Sequence, residues 1–267
     1  MTSPLSKEPR RFAPLGQKGE DAAKELPKLK GIVFDVDGTL CLQQNYMFGE
    51  MRRALGIDKS TDILDHCHSL PPAEEKEALE KIRNIERTAM TKQEPQPGLV
   101  PLMEYLESRN LKKGICTRNF DVPVNHLLGK FLPGKEFHPV ITRDFRPPKP
   151  SPAGILHIAK SWGIVKDGEG GEKLGDASNM IMVGDSIDDM TAGFSAKAAT
   201  VLLVTEANAH LAKHEHTDLV VSRLDELIEI LEDGFVGQIG REDEESDARK
   251  RAEEVLKEGR AEGTTVN

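Results

Sequence analysis

Residues 34–40 read FDVDGTL, and they end the first apolar run of the chain. That run, KGIVFD at residues 30–35, is short and nearly continuous, which is typical of a strand in a parallel sheet covered on both faces. Asp35 and Asp37 therefore lie at the tip of a buried strand, just before a glycine that allows a sharp turn. Taken alone, two acids in this position also fit the turn chemistry that commonly follows a strand.

The sequence beyond residue 95 alternates between strand-like and helix-like segments. Helical spacing of apolar residues appears at 99–109, 123–129, 152–162 and 224–231. Such alternation predicts an α/β fold with a doubly wound parallel sheet, in which helices cover both faces. The predicted strands are 30–35, 113–116, 138–142, 179–184, 199–204 and 218–221.

The segment 43–94 interrupts this alternation directly after the first strand. Its apolar residues recur at helical spacing, and it is too long for an ordinary connection between a strand and a helix. We call it the helical insertion, and we expect it to form a small cap at the edge of the sheet where ligands bind. The glycine-rich polar segment 166–178 is interpreted as a surface loop or an insertion.

Four regions follow from these patterns. Residues 1–29 are polar and rich in proline, which indicates an irregular arm, and fourteen of the twenty residues at 241–260 are charged, which indicates a tail. The predicted organisation is an N-terminal arm at 1–29, an α/β core at 30–42 and 95–235, a helical cap at 43–94, and a charged tail at 236–267.

The composition argues against several classes of partner. The formal net charge is −9 and the isoelectric point is about 5.5, which disfavours a nucleic acid or an anionic membrane as the main partner. No apolar run reaches the roughly 18 residues of a membrane span. Three cysteines without a CxxC pair indicate a reducing compartment rather than a disulfide framework.

The N-terminal residues bear on localisation. They show no apolar region of a secretory signal, and acids such as Glu8, Glu20 and Asp21 disfavour a mitochondrial presequence. The prediction is a cytoplasmic protein, with access to the nucleus left open. The oligomeric state is also left open.

Polar residues recur at the ends of the predicted core strands. Because the carboxyl ends of parallel strands meet at one edge of the sheet, these residues are expected to lie together. Carboxylates are the hard oxygen ligands that suit Mg²⁺, whereas a hydroxyl and an amine suit a phosphate. The residues are Thr117, Arg118 and Asn119 after the second strand, Lys149 after the third, and Asp185, Asp188 and Asp189 after the fourth.

Each of these residues also has a simpler interpretation. Thr117 could cap the following helix, and Lys149 could be a solvated lysine in a proline-rich loop. Asp185 and Asp189 could be surface acids at the start of a helix. Arg118 could face solvent.

The four motifs DVDGT, CTRN, RPPKPSP and GDSIDD, in this order, resemble the haloacid dehalogenase-like (HAD) hydrolase superfamily. The resemblance covers roughly residues 30–232. The position of the helical insertion, between the first and second motifs, is similar to that in the phosphatase branch with a helical C1-type cap. Phosphoglycolate phosphatase and β-phosphoglucomutase belong to that branch.

The resemblance implies a role for each motif residue. Asp35 is the implied nucleophile and Asp37 the implied general acid and base. The implied phosphate-binding residues are Thr117, Arg118 and Lys149. The implied Mg²⁺ ligands are Asp35, Asp37 through its backbone carbonyl, Asp185 and Asp189, and the supporting residues are Gly38, Thr39 and Asn119.

The leading interpretation is a Mg²⁺-dependent hydrolase that removes phosphate from a small phosphorylated metabolite through an aspartyl-phosphate intermediate. A phosphomutase with the same core motifs, or a non-catalytic relative that binds a metabolite or a partner, are the alternatives. An acid at position 37 disfavours dehalogenation. Candidate specificity residues in the helical insertion are Tyr46, Met47, Arg52, Arg53, His66 and His68.

Overall fold

The computed structural model describes residues 10–16 and 25–237. Residues 1–9 and 17–24 of the predicted arm, and residues 238–267 of the predicted tail, lie outside this description. No described helix combines the length and the apolar character needed to span a bilayer.

A parallel sheet forms the centre of the molecule. Within the described residues it has six strands in the order β3-β2-β1-β6-β7-β8, with β1 paired to β2 on one side and to β6 on the other. The fold class predicted from the alternation of elements is therefore confirmed. The sheet strands are β1 Gly31–Phe34, β2 Lys112–Cys116, β3 Val140–Ile141, β6 Met180–Gly184, β7 Ala199–Leu203 and β8 Leu219–Val221.

Helices cover both faces of this sheet. Ile32 and Phe34 of β1 point to one apolar cluster, and Val33 points to the other, because successive side chains of a strand alternate between faces. This double burial explains the continuous apolar run at residues 31–34. The helices on the first face are α4 Leu99–Ser108, α5 Asp121–Phe131 and α8 Glu226–Asp233, and those on the second are α6 Ala153–Ser161 and α7 Ile187–Ser195.

The helical insertion has an apolar cluster of its own. Met51, Cys67 and Ile82 are buried in it, one from each of its helices. The chain leaves and re-enters the core at one place, where the N–H of Leu42 donates to the carbonyl of Glu94 at 2.9 Å. Both features support the proposed division into core and cap. The helices are α1 Asn45–Leu55, α2 Ile63–Ser69 and α3 Pro72–Met90.

The polar segment 166–178, predicted as a surface loop or an insertion, contains regular backbone pairing. It contributes to a two-stranded antiparallel hairpin, β4 Val165–Asp167 and β5 Lys173–Gly175. Backbone pairing of this kind leaves polar side chains free to face solvent. The two strands therefore show no alternation of apolar residues from which they could be predicted. Gly175 allows the hairpin to approach α6, since a Cβ there would lie 2.0 Å from the carbonyl oxygen of Leu156.

The described part of the N-terminal arm packs on the core without forming a helix or an extended strand. The N–H of Phe12 donates to the carbonyl of Phe235, and that of Leu15 donates to the carbonyl of Leu231. Phe12 is only 2% exposed and its ring lies 5.5 Å from that of Phe235. This irregular segment therefore contributes to the apolar core.

Candidate active site

The ends of the parallel strands open into a cavity between the sheet and the helical insertion. Its volume is about 400 Å³. Asp35 follows β1, Thr117 follows β2, Asp185 follows β6, and Lys149 lies in the loop that precedes α6. The motif residues that line the cavity are Asp35, Asp37, Thr117, Arg118, Asn119, Lys149, Asp185, Ser186 and Asp188.

A tight turn after β1 brings the first two acids into this cavity. Gly38 has a φ of 85°, a conformation that favours glycine. The N–H of Leu40 donates to the carbonyl of Val36 at 2.8 Å and closes the turn. A Cβ at Gly38 would also lie 2.2 Å from an oxygen of Asp185. Position 38 therefore requires glycine for its backbone conformation and for this close approach. The next residue, Thr39, is buried.

Lys149 joins two buried carboxylates. Its Nζ lies 2.6 Å from Asp35 Oδ1 and 2.5 Å from Asp189 Oδ1. The other oxygen of Asp189 accepts hydrogen bonds from the N–H and hydroxyl of Ser186, the N-cap residue of α7. Asp189 thus holds Lys149 and the start of α7 at once, and Lys149 is a buried cation rather than a solvated one.

Three carboxylates converge at the centre of the site. Asp35, Asp185 and Asp189 each offer an oxygen, and the three atoms lie within 4.8 Å of one another. Burial raises the pKa of Asp35 to about 7 and that of Asp185 to about 8, and repulsion from neighbouring carboxylates adds to both shifts. Lys149 opposes these shifts but supplies a single positive charge. Clustered hard oxygen donors with an excess of negative charge fit a divalent cation such as Mg²⁺.

Asp37 lies beside this cluster and is held separately. The side-chain amide of Asn119 donates to Asp37 Oδ2 at 2.8 Å, and the amide oxygen of Asn119 accepts from the N–H of Phe120. Burial raises the pKa of Asp37, while the hydrogen bond from Asn119 opposes that rise. A buried acid with a raised pKa is suited to donating and accepting a proton.

Thr117 faces the same cavity and does not cap the next helix. Helix α5 begins at Asp121 and its N-cap residue is Phe120. The hydroxyl oxygen of Thr117 accepts from the N–H of Asn119 at 3.1 Å, which leaves its proton available to a ligand. The capping interpretation is therefore wrong.

Arg118 links the core to the helical insertion. Its guanidinium donates to Asp188 at 2.7 Å and to Asp62 at 2.6 Å. Asp62 is the N-cap residue of α2 and also accepts from the N–H groups of Leu64 and Asp65. Arg118 lines the cavity, but two acids already engage its terminal nitrogens, so phosphate binding by this residue stays a prediction.

A comparison with known protein families matches residues 29–197 to the haloacid dehalogenase-like hydrolases. The chain belongs to this family. The predicted resemblance is thus confirmed, and the chain is a HAD-like hydrolase.

A related protein in Saccharomyces cerevisiae, described as the uncharacterized hydrolase YOR131C, is 45% identical over 211 residues. The match covers 78% of this chain and 91% of the yeast protein. The HAD-like core is thus shared along most of both proteins.

Solved structures share the fold at lower identity. A putative phosphoglycolate phosphatase from Lactobacillus plantarum is 18% identical with a TM-score of 0.60, and the match covers 76% of this chain and 99% of that protein. A β-phosphoglucomutase from Clostridium difficile is 18% identical with a TM-score of 0.59, covering 74% and 93%. At this identity the likeness concerns the fold alone.

Several residues of this HAD-like hydrolase that support the site lie outside the motifs. Gln96 donates to the carbonyl of Gly38 at 2.6 Å and braces the turn after β1. Asn208 donates to the carbonyl of Asp185 at 2.7 Å, and Gln43 donates to its carboxylate at 3.3 Å. These are single amides in loops, and nothing in their local sequence distinguishes them from solvated residues.

A buried ion pair in the cavity wall was also not predicted from the sequence. Glu86 of α3 contacts Arg143, which lies two residues after the last residue of β3. Two signals could have indicated it. Glu86 falls on the apolar stripe of α3 with Ile82 and Ala89, and Arg143 is another polar residue at a strand end.

The structure separates the candidate specificity residues into two groups. Met47 and Arg52 line the cavity. Tyr46 is 46% exposed, and His68 contacts Glu75 and Arg146 instead. Arg53 and His66 are also absent from the cavity lining among the described residues.

Proposed function

We propose that this hydrolase removes phosphate from a small phosphomonoester, with Mg²⁺, through an aspartyl phosphate formed on Asp35. The observation that carries the proposal is the position of Asp35. It lies 2.6 Å from the Lys149 ammonium, at the centre of a carboxylate cluster, and next to a second acid that Asn119 holds. This arrangement supports a carboxylate nucleophile with its own proton donor.

The donor set supports Mg²⁺ as the cofactor. Asp35, Asp185 and the backbone carbonyl of Asp37 would hold the ion, with Asp189 close behind them. When bound, Mg²⁺ supplies positive charge that offsets both the carboxylates and the phosphate of the substrate.

The residues of the chain divide the proposed reaction between them. A carboxylate oxygen of Asp35 attacks phosphorus while Asp37 protonates the departing alcohol oxygen, and Asp37 then takes a proton from the water that hydrolyses the aspartyl phosphate. Lys149 and the hydroxyl of Thr117 offset the negative charge on the phosphoryl oxygens. The proposed partner is a small phosphorylated metabolite.

The first test is phosphate release from p-nitrophenyl phosphate and a panel of phosphomonoesters, with Mg²⁺ and with EDTA. Asp35→Asn is expected to reduce the Mg²⁺-dependent rate by at least about 10³-fold, because the nucleophile is lost. Asp167→Asn is the control, since Asp167 is an exposed acid that pairs with Lys173 away from the cavity.

The outcomes separate the alternatives. Full activity in Asp35→Asn would contradict the proposed nucleophile. Transfer of phosphate to an alcohol acceptor in place of water would indicate a phosphomutase. Absence of both reactions in the wild type would favour a non-catalytic binding protein.

A further inference from the structure

Glu86 and Arg143 form a buried ion pair in the wall of the active-site cavity. Glu86 is 5% exposed and Arg143 is 6% exposed, and one guanidinium nitrogen of Arg143 contacts one carboxylate oxygen of Glu86. Glu86 lies on α3 of the helical insertion, whereas Arg143 belongs to the core. Both line the cavity that contains the proposed nucleophile.

The pair has unused hydrogen-bonding capacity. Within residues 10–16 and 25–237, Glu86 Oε2 and the Nε and Nη1 atoms of Arg143 are buried without a hydrogen-bond partner. Buried polar atoms without partners are destabilising, and well-packed apolar residues usually replace a buried ion pair without loss of stability. Folding alone therefore does not account for this pair, and its free atoms point to a ligand.

The pair is linked to Asp37 through Asn119. The backbone N–H of Arg143 donates to the carbonyl of Asn119 at 2.9 Å, and the side chain of Asn119 holds Asp37. The guanidinium lies 5.3 Å from the centre of the Phe120 ring, which fixes its plane.

The electrostatic influence between these groups agrees with that position. Burial raises the pKa of Glu86 to about 7, and the negative charge of Asp37 adds to the rise. Burial raises the pKa of Asp37, and the charge of Arg143 is among the influences that oppose this rise. Since Asp37 is the proposed donor to the departing oxygen, Glu86 and Arg143 face the alcohol part of the substrate.

We propose that Glu86 and Arg143 are specificity residues that bind a hydroxyl group of the leaving alcohol next to the ester oxygen, so that the substrate is a phosphorylated polyol or sugar. The proposal rests on the proposed phosphatase function. A hydroxyl can donate to a carboxylate such as that of Glu86 and accept from a guanidinium such as that of Arg143 at the same time.

The same pair discriminates against a carboxylate in that position. A carboxylate accepts hydrogen bonds but cannot donate one to Glu86, and the negative charges of Glu86 and Asp37 oppose its attraction to Arg143. We therefore expect this chain to disfavour 2-phosphoglycolate, although a structural neighbour is described as a putative phosphoglycolate phosphatase.

Three phosphomonoesters of similar size test the proposal. Glycerol 1-phosphate carries a hydroxyl next to the ester carbon, n-propyl phosphate carries none, and 2-phosphoglycolate carries a carboxylate. The hydroxyl of glycerol 1-phosphate can form a hydrogen bond to a charged group. In the wild type, kcat/KM for this ester is therefore expected to exceed that for either other ester by at least about tenfold.

The double variant Glu86→Leu/Arg143→Met removes the polar atoms and keeps the volume of the pair, so it is expected to fold. Its ratio of kcat/KM between glycerol 1-phosphate and n-propyl phosphate is expected to fall to near one. The matched control is Glu80→Leu/Arg87→Met, which removes an exposed glutamate–arginine pair on α3 that does not line the cavity. Its ratio is expected to match that of the wild type.

Three results would overturn the inference. The wild type could show no preference for the hydroxyl-bearing ester, or the double variant could keep that preference. The double variant could also lose activity equally on every ester, which would assign the pair a purely structural role. If p-nitrophenyl phosphate is hydrolysed in these cases, the proposed phosphatase function survives. If no ester is hydrolysed by the wild type, both proposals fail.

Discussion

At the scale of single residues, Lys149 is the cation on which the buried acids depend. Its ammonium lies between Asp35 and Asp189, and all three side chains are buried. Burial alone would lower the pKa of a lysine, but the two carboxylates outweigh burial and raise the pKa of Lys149. The residue therefore stays charged and offsets part of the repulsion in the cluster.

Replacement of Lys149 by methionine tests this dependence. In EDTA, Lys149→Met is expected to lower the free energy of unfolding by about 3 kcal/mol, because buried charges lose their partner. Urea denaturation monitored by circular dichroism measures the change. The control Lys173→Met removes an exposed lysine and is expected to stay within about 0.5 kcal/mol of the wild type. A Lys149→Met protein as stable as the wild type would show that the acids are already protonated without it.

At the scale of elements, residues 10–16 stabilise α8, although they precede the alternating strands and helices of the core. Its backbone pairs with the end of that helix, and Phe12 packs against Phe235 in the cluster that also contains Leu227 and Leu231. Tertiary burial, rather than local propensity, holds this segment in place.

Phe12→Ala measures that contribution. The free energy of unfolding is expected to fall by about 3 kcal/mol, because the substitution leaves a cavity beside Phe235. Arg11→Ala, at the exposed neighbouring position, is the control and is expected to change stability by less than about 0.5 kcal/mol. Equal stabilities of the two variants in urea denaturation would show that the segment does not contribute to the core.

At the scale of the whole molecule, polar links join the helical insertion to the core around the cavity. Asp62 pairs with Arg118 and Glu86 pairs with Arg143. The apolar clusters of the two parts are separate, whereas these charged pairs cross between them. Charge in the site therefore bears on the stability of the complete chain.

Mg²⁺ is expected to stabilise the chain more at pH 8.5 than at pH 6. The folded-state pKa values of Asp35 and Asp185, about 7 and about 8, lie above the ordinary value of 3.8. The folded protein therefore holds protons that the unfolded chain has released, so without metal its stability falls as the pH rises through these values. Mg²⁺ needs the deprotonated carboxylates, and its binding reverses that loss.

Thermal unfolding with Mg²⁺ and with EDTA at the two pH values measures the effect. At a Mg²⁺ concentration of 100 times Kd the stabilisation at pH 8.5 is about 2.7 kcal/mol. The increment should be smaller at pH 6 and should disappear in Asp185→Asn. An increment that is independent of pH would place the ion elsewhere.

The sheet and the residues at its edge could be predicted from the amino-acid sequence. Asp35, Thr117 and Asp185 each follow a strand recognisable from its apolar run, and parallel strands bring their carboxyl ends together whatever their separation in the chain. This rule needs no knowledge of how the helices pack. It therefore placed the motif residues in one cavity, and the family comparison agrees with the motifs that carried the prediction.

The side chains that meet across the cavity could not be predicted before the packing of the helical insertion on the core was known. Glu86 and Arg143 lie 57 positions apart, and Arg118 and Asp62 lie 56 apart, on elements that share no strand pairing. Their contacts depend on how the helical insertion docks on the core, which apolar periodicity within either part does not encode. The burial of Phe12 has the same origin, because a single aromatic in an irregular segment gives no periodic signal until the core it fills is formed.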